Sequence, residues 1–410
     1  MLLRDAARDP KAMPNYSTFG KKKASVAQAS VMPSPKSAQP DPTQAEVREA
    51  RWPILAIGLC ILLICIYVLE IQNRTDPLAG GAISPRDAVA LGGVSRYLVL
   101  HEQEWWRIFT APYLHGGPLH LIANGVTLLI AGAYLERLIG RSWFALLFLA
   151  GAFAGSLGSL AYGPATRVSI GASGAIMCLL TVMFALSFHY KAGKAANWMR
   201  YRALATLIPA FLPSVTAGAI QTDYGAHFGG FAMGIAFGYL LLIIWPEEMP
   251  APPQRDAAAF AAVFGATLML FAAAQARSSY AYYAERSAQL IPSAIVSNSD
   301  ALFQNPGDLV DRYPHDPLAR IPYALKFLNR QDYDDAEDQA RAGLSEHDML
   351  STEFAPVVEQ RLNLLLMAAL WGEGRTDDAH ALSSAVCALR SEDEFLRSGH
   401  RYLEQIGACK

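Results

Sequence analysis

An all-α, polytopic membrane bundle of about seven spans, followed by a soluble helical domain, is the fold this sequence predicts. Three observations carry it. Apolar residues make up 52% of the 410 and charged ones only 17%. Between Trp52 and Ala276 the apolar residues gather into runs close to the ~17–25 needed to cross a bilayer's hydrocarbon core. From Arg277 onward the pattern changes to amphipathic segments separated by polar turns.

In chain order, residues 1–51 are rich in Pro, Ser, Gln, Ala and Lys and nearly free of aromatics. Such a segment cannot bury enough apolar surface to offset its ordering entropy, so a disordered tail is expected. No signal peptide is expected either, since the first apolar run begins only at Pro53. The runs are then Pro53–Leu69, 112–135, 143–162, 172–189, 203–220, 225–245 and 257–276. The fifth contains Pro209 and Pro213, which in lipid need neighbouring groups to satisfy the freed carbonyls. The seventh is rich in alanine and only moderately hydrophobic, so a helix lying on the membrane is its alternative. Residues 52–276 form the expected membrane domain, with a core at 95–245, and residues 277–410 the soluble one.

Lysine and arginine set the orientation. The tail carries nine, including Lys21, Lys22 and Lys23. Lys191, Lys194, Arg200 and Arg202 lie between runs four and five, and Arg137 and Arg141 between two and three. The opposite connections are poorer. The N-terminus is therefore expected in the cytoplasm, with the 277–410 domain on the far side of what is expected to be a plasma (inner) membrane. That placement puts Cys387 and Cys409 where a disulfide could form.

Composition also excludes functions. A net charge of −2 with no basic-aromatic patch gives no argument for nucleic acid. The five cysteines lack paired short spacing, so no metal site is indicated. Cys60, Cys65 and Cys178 fall in apolar runs, where cysteine behaves as a small hydrophobe.

The chemistry centres on Ile170-Gly171-Ala172-Ser173-Gly174-Ala175, which heads the fourth run. Serine and glycine alone are ordinary packing residues in membrane helices, and Gly-x-Ser-Gly is a weak motif. His227 changes the weighing, because a titratable side chain inside a span is costly and usually marks function. Ala226, Gly230, Gly234 and Gly238 recur at four-residue spacing, a face on which a second helix can come to backbone contact. Gly174 is the candidate counterpart. A serine hydroxyl and an imidazole could then meet as nucleophile and base. His120 and Asn124, four apart on one helix face, are donors able to hold an oxyanion; interhelical bonding is their plain alternative.

Runs two, four and six all start on the extracytoplasmic side, so these four polar groups share one depth. Ser173 at a helix start also places backbone N–H groups and the positive dipole end where an oxyanion would form. Glu70, Glu136 and Asp223 lie at run ends, which argues for a Ser-His dyad without a third, orienting carboxylate.

Taken together, residues 95–245 resemble a rhomboid intramembrane serine protease. The matching pieces are Trp105-Trp106-Arg107, His115…His120…Asn124, Glu136-Arg137-x-x-Gly140, Gly171-Ala172-Ser173-Gly174, and Ala226-His227-x-x-Gly230-x-x-x-Gly234. The resemblance implies Ser173 as nucleophile, His227 as general base, and His120, Asn124 and the Ser173 N–H as the oxyanion hole. His115, Arg107, Glu136, Gly171, Gly174, Gly230 and Gly234 would support them. No cofactor and no metal are expected. The resemblance also implies six spans with one added after them, and single-span membrane proteins as substrates, cut near their extracytoplasmic end. Met177 departs from the pattern: many rhomboids have a tyrosine there, packing against the histidine. A catalytically inactive relative that binds membrane clients is the second reading. A transporter with a Ser-His relay is the third, and no internal repeat supports it.

In the soluble part, Tyr333-Asp334-Asp335-Ala336 returns as Thr376-Asp377-Asp378-Ala379, 43 positions later. The stretch Asn329–Leu344 resembles the second half of a tetratricopeptide unit, whose period is ~34. An irregular helical bundle is the alternative. A peptide or protein partner is expected for this domain, since helical repeats offer concave surfaces.

Overall fold

The computed structural model describes residues 52–163, 167–212, 222–246, 248–296, 299–352, 354–388 and 390–409. The tail expected to be disordered, and Pro213 with the end of the fifth run, lie outside the described residues.

Seven longer helices form the membrane part: α1 Ile54–Asn73, α2 Pro118–Ile139, α3 Arg141–Tyr162, α4 Ser173–Leu186, α5 Ala196–Ala210, α6 Tyr224–Ile244 and α7 Arg255–Ala288. Five of them (α1, α2, α3, α6 and α7) are long and apolar enough to cross a bilayer. The fourth run yields only the 14 residues of α4, about 21 Å at 1.5 Å per residue. That is short of the ~30 Å core, but α4 is the central helix and most of its residues are buried by protein. The fifth run departs most from expectation. Its helix starts at Ala196, seven residues early, takes in Arg200 and Arg202, and reaches Pro209 one residue before its end.

Local chemistry sets the helix limits. Pro118 occupies the first turn of α2, where its missing N–H costs nothing. Gly140, at φ +86°, turns the chain between α2 and α3. The Asp223 carboxylate accepts from the Ala226 N–H at 3.0 Å and starts α6. Within α2, residues Leu128–Gly132 form a π turn whose Gly132 sits against the Phe144 ring of α3.

The ends of these helices can be sorted by their contacts. Glu136, near the end of α2, accepts from the Leu55 and Ala56 N–H groups at the start of α1, at 3.2 and 2.9 Å. Trp143 of α3 donates to the Pro253 carbonyl just before α7. At the opposite end, Ser159 of α3 donates to Asp223 at 2.6 Å. Tyr280 of α7 donates there to the Asn73 carbonyl of α1. The helices therefore alternate in direction, and α7 runs the full height of the bundle beside α3. A surface-lying seventh helix does not fit that path.

At 34 residues α7 is about 51 Å long, so it projects well beyond a hydrocarbon core. The expected domain limit at 276/277 falls inside this helix. Its last turns grip the 74–111 connection, which also carries the two-residue strand β1 Val94–Ser95, paired antiparallel with β2 Val168–Ser169. Arg107 is fully buried there. It binds Glu104 at 2.5 Å and the carbonyls of Val89 and Gly93 at 2.6 and 3.0 Å. The Tyr283 ring lies 4.8 Å from its guanidinium carbon, and the Tyr283 hydroxyl donates to Glu104 at 3.0 Å.

The chain beyond α7 is anchored to the same connection. Asp76 accepts from the Ser293 N–H at 2.8 Å and from the Ser293 hydroxyl. Arg86 donates to the Ile291 carbonyl at 2.6 Å, and the buried Asp316 accepts from the Ile291 N–H at 2.7 Å. The main helices of this part are α8 Pro317–Leu328, α9 Tyr333–Ser345, α10 Pro356–Gly372 and α11 Glu394–Gln405. They pack around Leu362, Leu365, Met367 and Leu403. Tyr333 does open a full helix, α9. The second copy of the motif opens only Thr376–Ala381, six residues, so the expected repeat is not carried through. Cys387 and Cys409 are joined as a disulfide.

If α7 braces the 74–111 connection, Tyr283→Phe, which keeps the ring over Arg107, should cost about 1.5 kcal/mol, the scale of a hydrogen bond to a charged group. Tyr283→Ala should cost more and expose the connection to limited proteolysis. Melting temperatures in detergent that match the unsubstituted protein for both variants would contradict the brace.

Candidate active site

The site lies where the starts of α2, α4 and α6 converge. Its foundation is a backbone-to-backbone crossing. A Cβ built on Gly230 would lie 2.0 Å from the Gly174 carbonyl oxygen, and one built on Gly174 would lie 2.8 Å from Gly155 Cα. Farther along, Gly234 meets Thr181 and Cys178, and Gly238 meets Ala185. The four-residue glycine spacing of α6 is thus the face that meets α4, with α3 closing the third side.

Ser173 is the first residue of α4, partly exposed, directly before Gly174. His227 lies in the first turn of α6, one turn before Gly230, and is 9% exposed. Its Nδ1 sits 2.9 Å from the Ala210 carbonyl oxygen at the end of α5. A carbonyl only accepts, so Nδ1 carries the ring proton in that contact and Nε2 is left as the acceptor. Phe211 meets the ring edge-on, with centroids 6.2 Å apart. No hydrogen bond joins Ser173 to His227 among the described residues, and such bonds often tighten only with substrate bound.

His120 and Asn124 meet the loop that precedes Ser173. A Cβ on Gly171 would lie 2.6 Å from His120 Cε1, 2.8 Å from His120 Nε2 and 3.7 Å from Asn124 Nδ2. Gly171 holds φ at +124°, a conformation side chains rarely adopt, and donates its N–H to Ala111 at 3.0 Å. Asn124 is buried; one N–H of its amide reaches His115 Nε2 at 3.1 Å, which leaves the second for another acceptor. The rings of His115 and His120 pack edge to face at 5.2 Å. Beside Ser173, Pro112, Gly155, Gly171, Gly174 and Ala226 line a void of about 10 Å³, room for no more than one water.

Two expected supporting residues lie away from this point. Glu136 clamps the start of α1 at the opposite end of the bundle and pairs with Arg141 at 3.4 Å. Arg107 organises the 74–111 connection. Four further groups contribute that carry no strong signal in the sequence. Glu70 is only 1% exposed, and its carboxylate accepts the His115 N–H at 3.1–3.2 Å. Its place at the end of an apolar run carries no mark of that contact. The Ala210 carbonyl and Phe211 lie next to Pro209, whose disruption of the helix was the available signal. Asp223 is held by Ser159, Ala226 and Arg167, one turn from His227.

The rhomboid domain family matches residues 102–244, an interval that contains every residue of this convergence except Glu70. Residues 102–244 of this chain are a rhomboid domain. Relatives bear the same family name. RHOMBOID-like protein 5 of Arabidopsis thaliana is 38% identical over 190 residues, 45% of this chain and 59% of the relative. RHOMBOID-like protein 4 of that plant is 34% identical over 177 residues, 42% of each chain. Rhomboid protease GluP of Bacillus subtilis (strain 168) is 36% identical over 131 residues, 32% of this chain and 24% of the relative. The chain therefore spans about three fifths or less of the length of these relatives. Its family match ends at residue 244, before α7 and the C-terminal part.

Gly171→Ala in this rhomboid should cost about 1–3 kcal/mol through backbone strain alone, with more lost as the methyl displaces His120. Gly125→Ala, where a Cβ would meet nothing within 4 Å, is the control. Equal thermal stability of the two variants would contradict the close approach at Gly171.

Proposed function

We propose that this rhomboid is an intramembrane serine endopeptidase that cleaves transmembrane segments of single-span membrane proteins with a Ser173–His227 dyad. The observation that carries the reading is the Ala210 carbonyl at His227 Nδ1. It holds the imidazole in the tautomer a base needs, on a helix whose backbone touches that of the nucleophile's helix. A carbonyl here does the orienting that a carboxylate does in a three-residue triad.

In the reaction, His227 Nε2 takes the Ser173 hydroxyl proton as Oγ attacks the scissile carbonyl. Negative charge builds on the carbonyl oxygen. His120 Nε2–H, the free Asn124 N–H and the Ser173 backbone N–H stabilise it, assisted by the positive end of α4. His227 then returns its proton to the leaving amine, and water, activated by the same nitrogen, hydrolyses the acyl-enzyme. Glu70 acts through the His115 backbone and His115 through Asn124, so both are positioning residues. No cofactor enters these steps.

The proposed orientation puts the N-terminus in the cytoplasm and the dyad in the outer part of a plasma (inner) membrane. The C-terminal domain is then extracytoplasmic. The Cys387–Cys409 disulfide supports that side, because such bonds persist in oxidising compartments. Cleavage near the extracytoplasmic end requires local unwinding of the substrate helix to expose its carbonyl, so helix-destabilising small residues are expected there.

Reconstituted with a single-span substrate, Ser173→Ala and His227→Ala should each abolish cleavage while inserting normally. The double variant should be little worse than either, since the pair acts as a unit. His120→Ala and Asn124→Ala should each lower kcat by about 10²–10³, the scale of one lost oxyanion donor. Substantial turnover by Ser173→Ala would overturn the mechanism, and unchanged rates for both donor variants would reduce those residues to packing.

A further inference from the structure

The C-terminal domain contains a concave site that the proteolytic reading does not use. Between α10 and α11 lies a cavity of about 580 Å³, within the size range of ligand pockets. Leu364, Val386 and Leu396 give it apolar wall. Arg390, Arg397, Arg401 and His400 also line it, against a single carboxylate, Glu394.

Two neighbouring acids have partners of their own. Asp393 holds Arg361 at 2.6 Å, and Glu404 faces His400 Nδ1 at 3.4 Å. Arg390 and Arg397 have no ion-pair partner among the described residues. Arg397 and Arg401 stand one turn apart on α11, a like-charge pair that weakens a helix. Arg401 also donates to the Ser398 hydroxyl, at 3.4 Å. The cavity is also held in shape: the disulfide ties Cys387 to Cys409, and His400 Nε2 meets the Cys387 carbonyl at 2.8 Å. Stapling lowers the ordering cost of binding.

We propose that this cavity binds an acidic peptide segment, with its carboxylates on Arg390, Arg397 and Arg401 and an adjacent apolar side chain against Leu364 and Leu396. Guanidinium forks suit carboxylates, and the mixed wall suits a peptide better than a bare phosphate. The occupant is the extramembrane stretch of a client protein. The domain is anchored through Ser293 and Ile291 to the connection at the site end of the bundle, where a client's extramembrane chain emerges. That choice of occupant rests on the proteolytic reading; the chemistry of the pocket does not.

The test is fluorescence anisotropy on the full chain in detergent, using a labelled peptide with glutamates flanking a leucine and its glutamine counterpart. The acidic peptide should bind, weaken with added salt, and bind at least about ten-fold more tightly than the glutamine peptide. Arg397→Glu/Arg401→Glu should lose that binding, while Arg397→Lys should retain part of it. Thermal melting and an intact disulfide establish that the variants are folded. Equal affinity for both peptides, or unchanged binding by the charge-reversed variant, overturns the proposal. So does displacement of the peptide by vesicles containing phosphatidylglycerol but not by neutral ones, which would make the pocket a lipid-headgroup site. Ser173→Ala should bind the peptide normally. Failure of cleavage with intact binding would therefore remove the proteolytic reading alone, and the reverse would remove only this one.

Discussion

Gly174 on α4 and Gly230 on α6 meet with no side chain between them, and the geometry of the site follows from that contact. Ser173 directly precedes one of these glycines and His227 lies one turn before the other. Any side chain at the crossing would push the two helices apart, and Ser173 and His227 with them. In lipid such a contact gains nothing from the hydrophobic effect and depends on close packing of small residues. Gly155 on α3 completes it. The cost is that α4 has almost no freedom to adjust, so the groups at its start are held in place.

Around this fixed point the polar groups are held by backbone as much as by side chains. The Ala210 carbonyl holds His227, and Glu70 grips the chain at His115 rather than a ring. A positive φ at Gly171 lets His120 close on the serine loop. Charged residues are used mainly at the two ends of the bundle, with Glu136 at one and Asp223 and Arg107 at the other. Water or neighbouring dipoles reach them there, and burial costs less than at mid-membrane.

The sequence showed which apolar helices form and which polar residue types stand out within them, because both signals are local. Length and hydropathy mark the runs, and a glycine every four residues marks the contact face of α6. The limits of α5 were not legible, since Arg200 and Arg202 broke the apolar pattern although both fit within a helix. Likewise Glu70 carried no local mark: its partner is a backbone N–H 45 positions away. The carbonyl that orients His227 has no side-chain signature at all. In the soluble part the motif at Tyr333 opened a full helix, whereas at Thr376 it did not, because a four-residue motif says little about what packs beyond it. The length of α7 was hidden by the change in composition at Arg277. Its apolar stretch ends there, and the helix continues on tyrosines that pack against the 74–111 connection.

The central claim is that Ser173 is a nucleophile activated by His227. It is tested most directly by exposing the purified, reconstituted protein to a fluorophosphonate and locating the adduct by tandem mass spectrometry. A single adduct on Ser173, nearly absent from His227→Ala while that variant melts normally, is the predicted result. Labelling on another serine, or equal labelling of Ser173 without His227, would contradict the account.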